Sequence, residues 1–149
     1  MKYLTSREQK DLIKSNVACF TIQGNPISLN RPRFSLGKIY DSQKQEKLLV
    51  GLILKSQLIS SLVGNLSMDI KFYFPISRAV SHKKQKELRG TFRGVRPDLS
   101  NCIKFYEDVM QNVGIYKDDA QIVEITSQKL YDDGAGPRVE ITLRQLSPS

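Results

Sequence analysis

The feature that most constrains this fold is an amphipathic helix, predicted over residues 98–112. At about 100° per residue, Asn101, Lys104 and Asp108 lie within roughly 60° of one another on one side of that helix. The other side carries Leu99, Cys102, Tyr106, Val109, Met110 and Val113. A helix with one apolar side has to bury it against a sheet or a second helix. We therefore expect the apolar side to pack on a sheet and the polar side to face solvent or a cleft.

Four runs of β-forming residues predict the sheet that this helix needs. Residues 17–23 and 66–74 are rich in β-branched or aromatic side chains, and each run is followed by a Gly- or Pro-containing turn. The runs at 121–131 and 138–146 are separated by a turn-forming segment at 132–137, which predicts an antiparallel hairpin. The order of elements predicts a single compact α/β (α+β) domain, with a mixed β-sheet and packed helices.

Two other helices are predicted nearer the start of the chain. Ser42 can cap a helix that extends through about Leu62, where a Gly-Asn pair follows. A capping-box pattern with a short apolar face predicts a helical appendage at residues 1–16. We therefore assign residues 17–149 to the main domain.

Length and cysteine content narrow the class of protein. A chain of 149 residues with 40% hydrophobic residues fits one globular domain. Its two cysteines, Cys19 and Cys102, have no metal-ligand spacing and form no disulfide framework. Neither a signal peptide nor an apolar run of membrane-spanning length is present in this sequence. We expect a cytoplasmic protein with no membrane partner.

The charge of the chain favours a polyanionic partner. There are 23 Lys and Arg against 15 Asp and Glu, a formal net charge of +8. Much of the positive charge lies in residues 78–96, where Glu87 is the only acidic residue. Such a surface attracts nucleic acid through long-range attraction and counterion release. A charge run is also typical of a solvated helix or loop, so charge alone leaves both interpretations open.

Asp98, Lys104 and Asp119 are candidates for metal-dependent chemistry on an anionic substrate. Carboxylates are the ligands that Mg²⁺ and Mn²⁺ prefer, and a lysine can stabilise negative charge on phosphate. Each residue alone has an ordinary alternative: Asp98 can cap a helix, Asp118 and Asp119 can form a solvated turn, and Lys104 can be a surface lysine. Only their combination favours a site for phosphodiester hydrolysis.

The chain resembles the RusA-type Holliday junction resolvases, small dimeric endodeoxyribonucleases of bacteria and their phages. The resemblance extends over most of the chain, from residue 19 to residue 146 or so. It is carried by Asp98-Leu99-Ser100-Asn101 with Lys104 and Asp108, by Tyr116-Lys117-Asp118-Asp119-Ala120-Gln121, and by Asn30-Arg31-Pro32-Arg33-Phe34 with Tyr40. A RusA-like fold and a bacterial or phage origin follow as expectations from this resemblance.

The resemblance also implies roles for individual residues. It implies that Asp98 and Asp119 bind a catalytic Mg²⁺ or Mn²⁺ ion and that Lys104 is catalytic. It implies that Asn101, Asp108 and Asp118 support this site from nearby. The activity that it implies is the resolution of Holliday junctions or related branched DNA by phosphodiester hydrolysis. The protein would act as a homodimer on a four-way junction.

One position departs from the family pattern. Ser100 stands where the family commonly has a second carboxylate, and a hydroxyl is a neutral, weaker ligand. Ser100 can act through a bound water or simply cap the helix. One alternative is therefore a noncatalytic junction- or branched-DNA-binding protein. A second alternative is a phosphodiesterase that acts on other branched DNA or on RNA.

Basic residues in two segments are predicted to contact DNA phosphates. They are Arg31, Arg33, Lys83, Lys84, Lys86, Arg89, Arg93 and Arg96. Such contacts neutralise the backbone without reading bases, as recognition of DNA shape requires. The single histidine, His82, lies within the second segment and is interpreted as a surface residue.

Overall fold

A computed structural model of the protein describes residues 16–30 and 33–146. The strands are β1 (Val17–Gln23), β2 (Arg33–Ser35), β3 (Lys38–Tyr40), β4 (Leu66–Phe74), β5 (Ile122–Tyr131) and β6 (Arg138–Gln145). The helices are α1 (Lys44–Gln57), α2 (His82–Leu88) and α3 (Leu99–Asn112), and a 3₁₀ turn spans Asp119–Gln121. The predicted appendage lies almost wholly outside the described residues, as does Arg31, and only the backbone of Arg33 is described.

The predicted mixed sheet is confirmed, and it has four strands in the order β1-β6-β4-β5. Strand β4 pairs antiparallel with β6 and parallel with β5. The β2–β3 pair forms a separate two-stranded sheet. The fold is therefore a single compact α+β domain, as the sequence predicts.

The predicted hairpin between β5 and β6 is wrong, because β4 lies between these two strands. Leu66, Met68, Ile70 and Phe72 of β4 are fully buried, whereas most of the first half of β5 is exposed. The most apolar strand therefore takes a central position and β5 an edge. The turn that follows β5 crosses the end of β4, where the Asp132 amide donates to the Phe74 carbonyl at 2.8 Å.

Helix α1 is shorter than predicted at both ends. It begins at Lys44 rather than after Ser42, because the Gln43 amide donates to the Asp41 carboxylate and its side chain bonds the backbone of Ser28 and Asn30. It ends at Gln57 because the chain then turns toward α3. There, the Leu62 amide donates to the Ile115 carbonyl at 2.8 Å.

The apolar side of α3 packs on the sheet, as its periodicity predicts. Its buried residues are Cys102, Phe105, Tyr106, Val109 and Met110. Helix α1 packs against α3 at Gly51, where an added Cβ would lie 2.7 Å from Val113 Cγ1. Among the described helices, none is long and apolar enough to cross a membrane. Packing against the sheet and α1 thus fixes the position of α3, while its polar side stays exposed.

Candidate active site

Asp98 stands at the start of α3 with an exposed carboxylate. It occupies the N-cap position, and its carbonyl accepts from the Cys102 amide at 3.2 Å. Its side chain, however, accepts no hydrogen bond from the first turn of the helix. The ordinary explanation of Asp98, a carboxylate that caps the helix, therefore does not apply, and its oxygens remain available to a ligand.

Two cations hold the loop that leads into Asp98. Arg93 Nη1 donates to the carbonyls of Val95 and Arg96 at 3.2 and 2.6 Å. Lys129 Nζ donates to the carbonyls of Val95 and Pro97 at 2.7 and 2.6 Å. The Arg96–Pro97 peptide bond is cis. Arg93 thus has a structural task in this fold, while its predicted contact with DNA stays a prediction.

The neighbouring acids Asp118 and Asp119 have different surroundings. The Asp118 carboxylate accepts from the Ala120 amide at 2.9 Å, and the Gln121 side chain accepts from the Asp118 amide at 3.0 Å. These reciprocal bonds form a capping box on the 3₁₀ turn. Asp119 is held through its backbone instead, since its amide donates to Gln111 Oε1 at 2.8 Å. Asp119 therefore lies beside the last turns of α3, and no side chain in the described part of the chain forms a salt bridge with its carboxylate.

Glu107 is an acidic residue of this site that the sequence analysis missed. Burial raises the pKa of its carboxyl, and the charges of Asp119 and Asp108 raise it further, while Lys104 opposes them. Glu107 follows Lys104 by three residues, so the two side chains lie about 60° apart on α3. This i,i+3 spacing is the signal that could have identified it. The bond between the Asp119 amide and Gln111 Oε1 therefore sets Asp119 against the same helix that carries Lys104 and Glu107.

The predicted metal ligands Asp98 and Asp119 come from different segments, the start of α3 and the 3₁₀ turn, and their joint binding of one ion stays a prediction. Asp98 precedes Glu107 by nine positions, a rise of roughly 13 Å along an α-helix. Among the described residues, no three His, Cys, Asp or Glu side chains are placed to hold one ion. Mg²⁺ usually takes one or two carboxylates and fills its remaining positions with water and substrate phosphate. The Asp119 and Glu107 carboxylates have the right chemistry for such an open site.

The remaining predicted residues lie around α3. Ser100 and Asn101 are exposed, and the Asn101 carbonyl accepts from the Leu29 amide at 3.0 Å. Asp108 lines an open cavity of about 250 Å³ together with Tyr40 and Lys47. The structure thus places Ser100 near Asp98 and Asp108 near the β2–β3 sheet.

Cys102 lies on the buried side of α3 and is chemically unreactive. It is fully buried, and burial raises the pKa of its thiol to about 11. Because the thiolate is the reactive form, this cysteine stays neutral and unreactive near pH 7. The sequence-based interpretation of Cys102 as a packing residue is confirmed.

The predicted DNA-contacting lysines lie on α2, which has no buried residue. Lys83, Lys84 and Lys86 are all exposed, as are Arg89 and Arg96. Ser81 caps the start of this helix, and its hydroxyl accepts from the Lys84 amide at 3.2 Å. A short helix that buries nothing displays its charges to solvent and to any polyanion that approaches.

The sequence matches the family model described as Endodeoxyribonuclease RusA over residues 23–144. The chain belongs to the RusA endodeoxyribonuclease family. It is 35% identical to the protein YqaN of Bacillus subtilis strain 168, over 86% of this chain and 96% of that protein. It is also 32% identical to the crossover junction endodeoxyribonuclease rusA of Lactococcus phage r1t, over 52% of this chain and 53% of that protein. The matched family region contains α3, the 3₁₀ turn and strands β4 and β5, so it includes the whole candidate site.

Proposed function

We propose that this RusA-family chain is a Mg²⁺- or Mn²⁺-dependent endodeoxyribonuclease that cleaves four-way junctions or related branched DNA. The observation that carries the proposal is the bond from the Asp119 amide to Gln111 Oε1, which sets Asp119 against the helix that carries Lys104 and Glu107. Two carboxylates next to a lysine provide oxygen ligands for a divalent ion and a cation for phosphate. The net charge of +8 supports DNA as the substrate.

The residues of the chain then have distinct tasks. Asp119 and Glu107 would hold the ion, and Asp98 would provide a separate carboxylate at the start of α3. Lys104 donates hydrogen bonds to a phosphate oxygen and stabilises the charge that develops there. A bound divalent ion would supply an activated water for hydrolysis. The lysines of α2 bind the phosphates of the DNA backbone. Because a four-way junction is two-fold symmetric, paired cuts require a homodimer with two active sites. We assign this activity to the cytoplasm.

The proposal is tested by offering the purified protein a labelled four-way junction, a matched duplex, a single strand and a branched RNA in Mg²⁺ or Mn²⁺. Paired symmetric nicks that occur only in the junction and disappear with EDTA would support the proposal. Tight junction binding without cleavage would favour the noncatalytic alternative, which Ser100 suggests. Equal cleavage of the other substrates would contradict junction selectivity.

Replacing Glu107 by glutamine tests its part in the site. The raised pKa means that the folded protein disfavours the ionised carboxylate, so ionisation costs stability above the usual value of 4.5. Without metal, Glu107→Gln should therefore melt at a higher temperature than the wild type near pH 7, and this difference should shrink as the pH falls toward 4.5. With metal, the variant should bind Mn²⁺ several-fold more weakly in a calorimetric titration.

The control for this variant is Glu124→Gln, which changes an exposed glutamate on β5. It should leave Mn²⁺ affinity unchanged. Wild-type Mn²⁺ affinity in Glu107→Gln would remove Glu107 from the metal site, whereas the rest of the proposed function would stand.

Neutralising Lys83, Lys84 and Lys86 together should weaken junction binding and flatten its salt dependence. Each lysine that contacts a phosphate releases condensed counterions, so the slope of log K against log salt should fall by up to about three. Fluorescence anisotropy between 50 and 200 mM or so of salt measures this slope. An unchanged slope would mean that α2 is merely solvated.

A further inference from the structure

We propose that Arg93 and Lys129 are positioning residues that fix Asp98, through three successive backbone carbonyls, in its place at the start of α3. We call Arg93, Lys129 and the carbonyls of residues 95–97 the cation clamp. Its proposed importance for cleavage rests on the proposed function of Asp98, while the contacts of the clamp are observed directly.

The clamp concentrates its hydrogen bonds on one short segment. The Val95 carbonyl accepts from both Arg93 and Lys129, the Arg96 carbonyl from Arg93, and the Pro97 carbonyl from Lys129. Asp98 follows directly, and its own carbonyl accepts the first hydrogen bond of α3. Each of the three residues before Asp98 thus has a carbonyl that accepts a hydrogen bond from a charged side chain.

Both cations are anchored to the sheet. The guanidinium of Arg93 lies 4.4 Å from the centroid of the Phe74 ring and 5.9 Å from that of Tyr131. The Arg93 amide donates to the Lys129 carbonyl at 3.0 Å, which joins the two residues through their backbones. Lys129 is paired with Phe72 in the parallel ladder, so it rises from the sheet on the side that α3 covers. The loop is therefore tied to the most rigid part of the fold.

The two cations of the clamp bind backbone carbonyls rather than acidic side chains. Among the described residues, neither Arg93 nor Lys129 has an acidic partner within 4.0 Å, and Arg93 Nε is buried without a hydrogen-bond partner. Withdrawing a cation from water is costly, and neutral carbonyls compensate less than a carboxylate does. Because their hydrogen bonds go to the carbonyls of residues 95–97, the positive charges of Arg93 and Lys129 are held against the segment directly before Asp98.

The clamp also makes Arg93 less available to bind a DNA phosphate. Its Nη1 is bound to two carbonyls, and its guanidinium lies over the rings of Phe74 and Tyr131. A phosphate contact would have to compete with these interactions. Arg89 and Arg96, which are exposed, are better placed to bind the DNA backbone from the same segment.

The test uses Lys129→Met, which keeps an unbranched stem and removes both hydrogen bonds. Lys71→Met is its matched control, because Lys71 lies on the neighbouring strand and points to the opposite face of the sheet from Phe72. Two readouts are taken on the full-length protein. They are the hydrogen-exchange rate of the Cys102 amide, which donates to the Asp98 carbonyl, and the cleavage of a four-way junction in Mg²⁺.

In Lys129→Met we expect the Cys102 amide to exchange at least several-fold faster, while the Val113 amide at the other end of α3 is unchanged. The rate of cleavage at saturating junction should fall by about 10- to 100-fold, since displaced catalytic groups lose rate steeply. Junction affinity and its salt slope should stay at the wild-type value. Arg93→Met, which removes the guanidinium and both of its hydrogen bonds, should shift both readouts in the same direction and provides the test if Lys129→Met does not fold.

Several results would overturn the clamp. One is exchange and cleavage in Lys129→Met that match those of Lys71→Met. Another is a weaker affinity with a salt slope reduced by about one, which would make Lys129 a phosphate contact. If the wild type itself cleaves no DNA, the proposed function fails, and the exchange rate of Cys102 still decides whether the clamp positions Asp98.

Discussion

Asp119→Asn is expected to reduce junction cleavage by on the order of 10³-fold or more, because a neutral amide binds a divalent ion far more weakly than a carboxylate. Junction affinity should change little, since the proposed DNA contacts lie on α2 and the adjoining basic residues. Single-turnover cleavage of a labelled four-way junction, measured beside its binding by anisotropy, separates the two effects. The fold should persist, because Asp119 is held through its backbone amide.

Asp118→Asn makes the same chemical change one residue earlier and is the matched control. The Asp118 side chain accepts from the Ala120 amide, a task that asparagine performs about equally well. Cleavage and thermal stability should therefore both remain near wild type. Cleavage by Asp119→Asn close to the wild-type rate would remove Asp119 from the active site, and an equal loss in both variants would point to the 3₁₀ turn rather than to one ligand.

Gly51→Val is expected to destabilise the fold by about 1–3 kcal/mol, the usual cost of an overpacked core. A Cβ at this position would lie 2.7 Å from Val113 Cγ1 and 3.6 Å from Val109 Cγ1, so α1 and α3 would have to separate. Since α3 carries Lys104 and Glu107, the same displacement should also lower cleavage. Thermal unfolding should shift downward by roughly 3–10 °C for a chain of this size.

The control for Gly51→Val is Leu52→Val in the same helix. Leu52 is 59% exposed, so this change introduces the same β-branched residue without a clash. It should cost less than about 1 kcal/mol, since it alters little beyond helix propensity. If both variants unfolded at the same temperature, the close approach of α1 and α3 at Gly51 would not contribute to stability.

The sequence predicted those parts of the fold that depend on local periodicity. The alternating run of β4 and the amphipathic pattern of α3 each specify a face, and both elements lie where they were predicted. The end of α1 was not predicted, because Gln57 and Leu62 find their hydrogen-bond partners in distant segments. Such partners have no signature within the helix itself.

The candidate site divides in the same way. Asp98, Lys104 and Asp119 could be selected from residue type and spacing alone, and the divergent tasks of Asp118 and Asp119 follow from the local capping box. Glu107 became a candidate site residue only because the tertiary structure places Asp119 beside the last turns of α3. The proximity of two residues separated by twelve positions depends on the turn between them, which residue spacing alone does not specify.

By itself, the sequence determined the type of each main element and the mixed sheet, and it selected the candidate residues for metal and phosphate binding. Only the tertiary structure decided that β4 separates β5 from β6, and that Arg93 and Lys129 hold the loop before Asp98. The physical reason is that periodicity records which face of an element is apolar, whereas the choice of partner depends on competition for burial and hydrogen bonds across the whole chain.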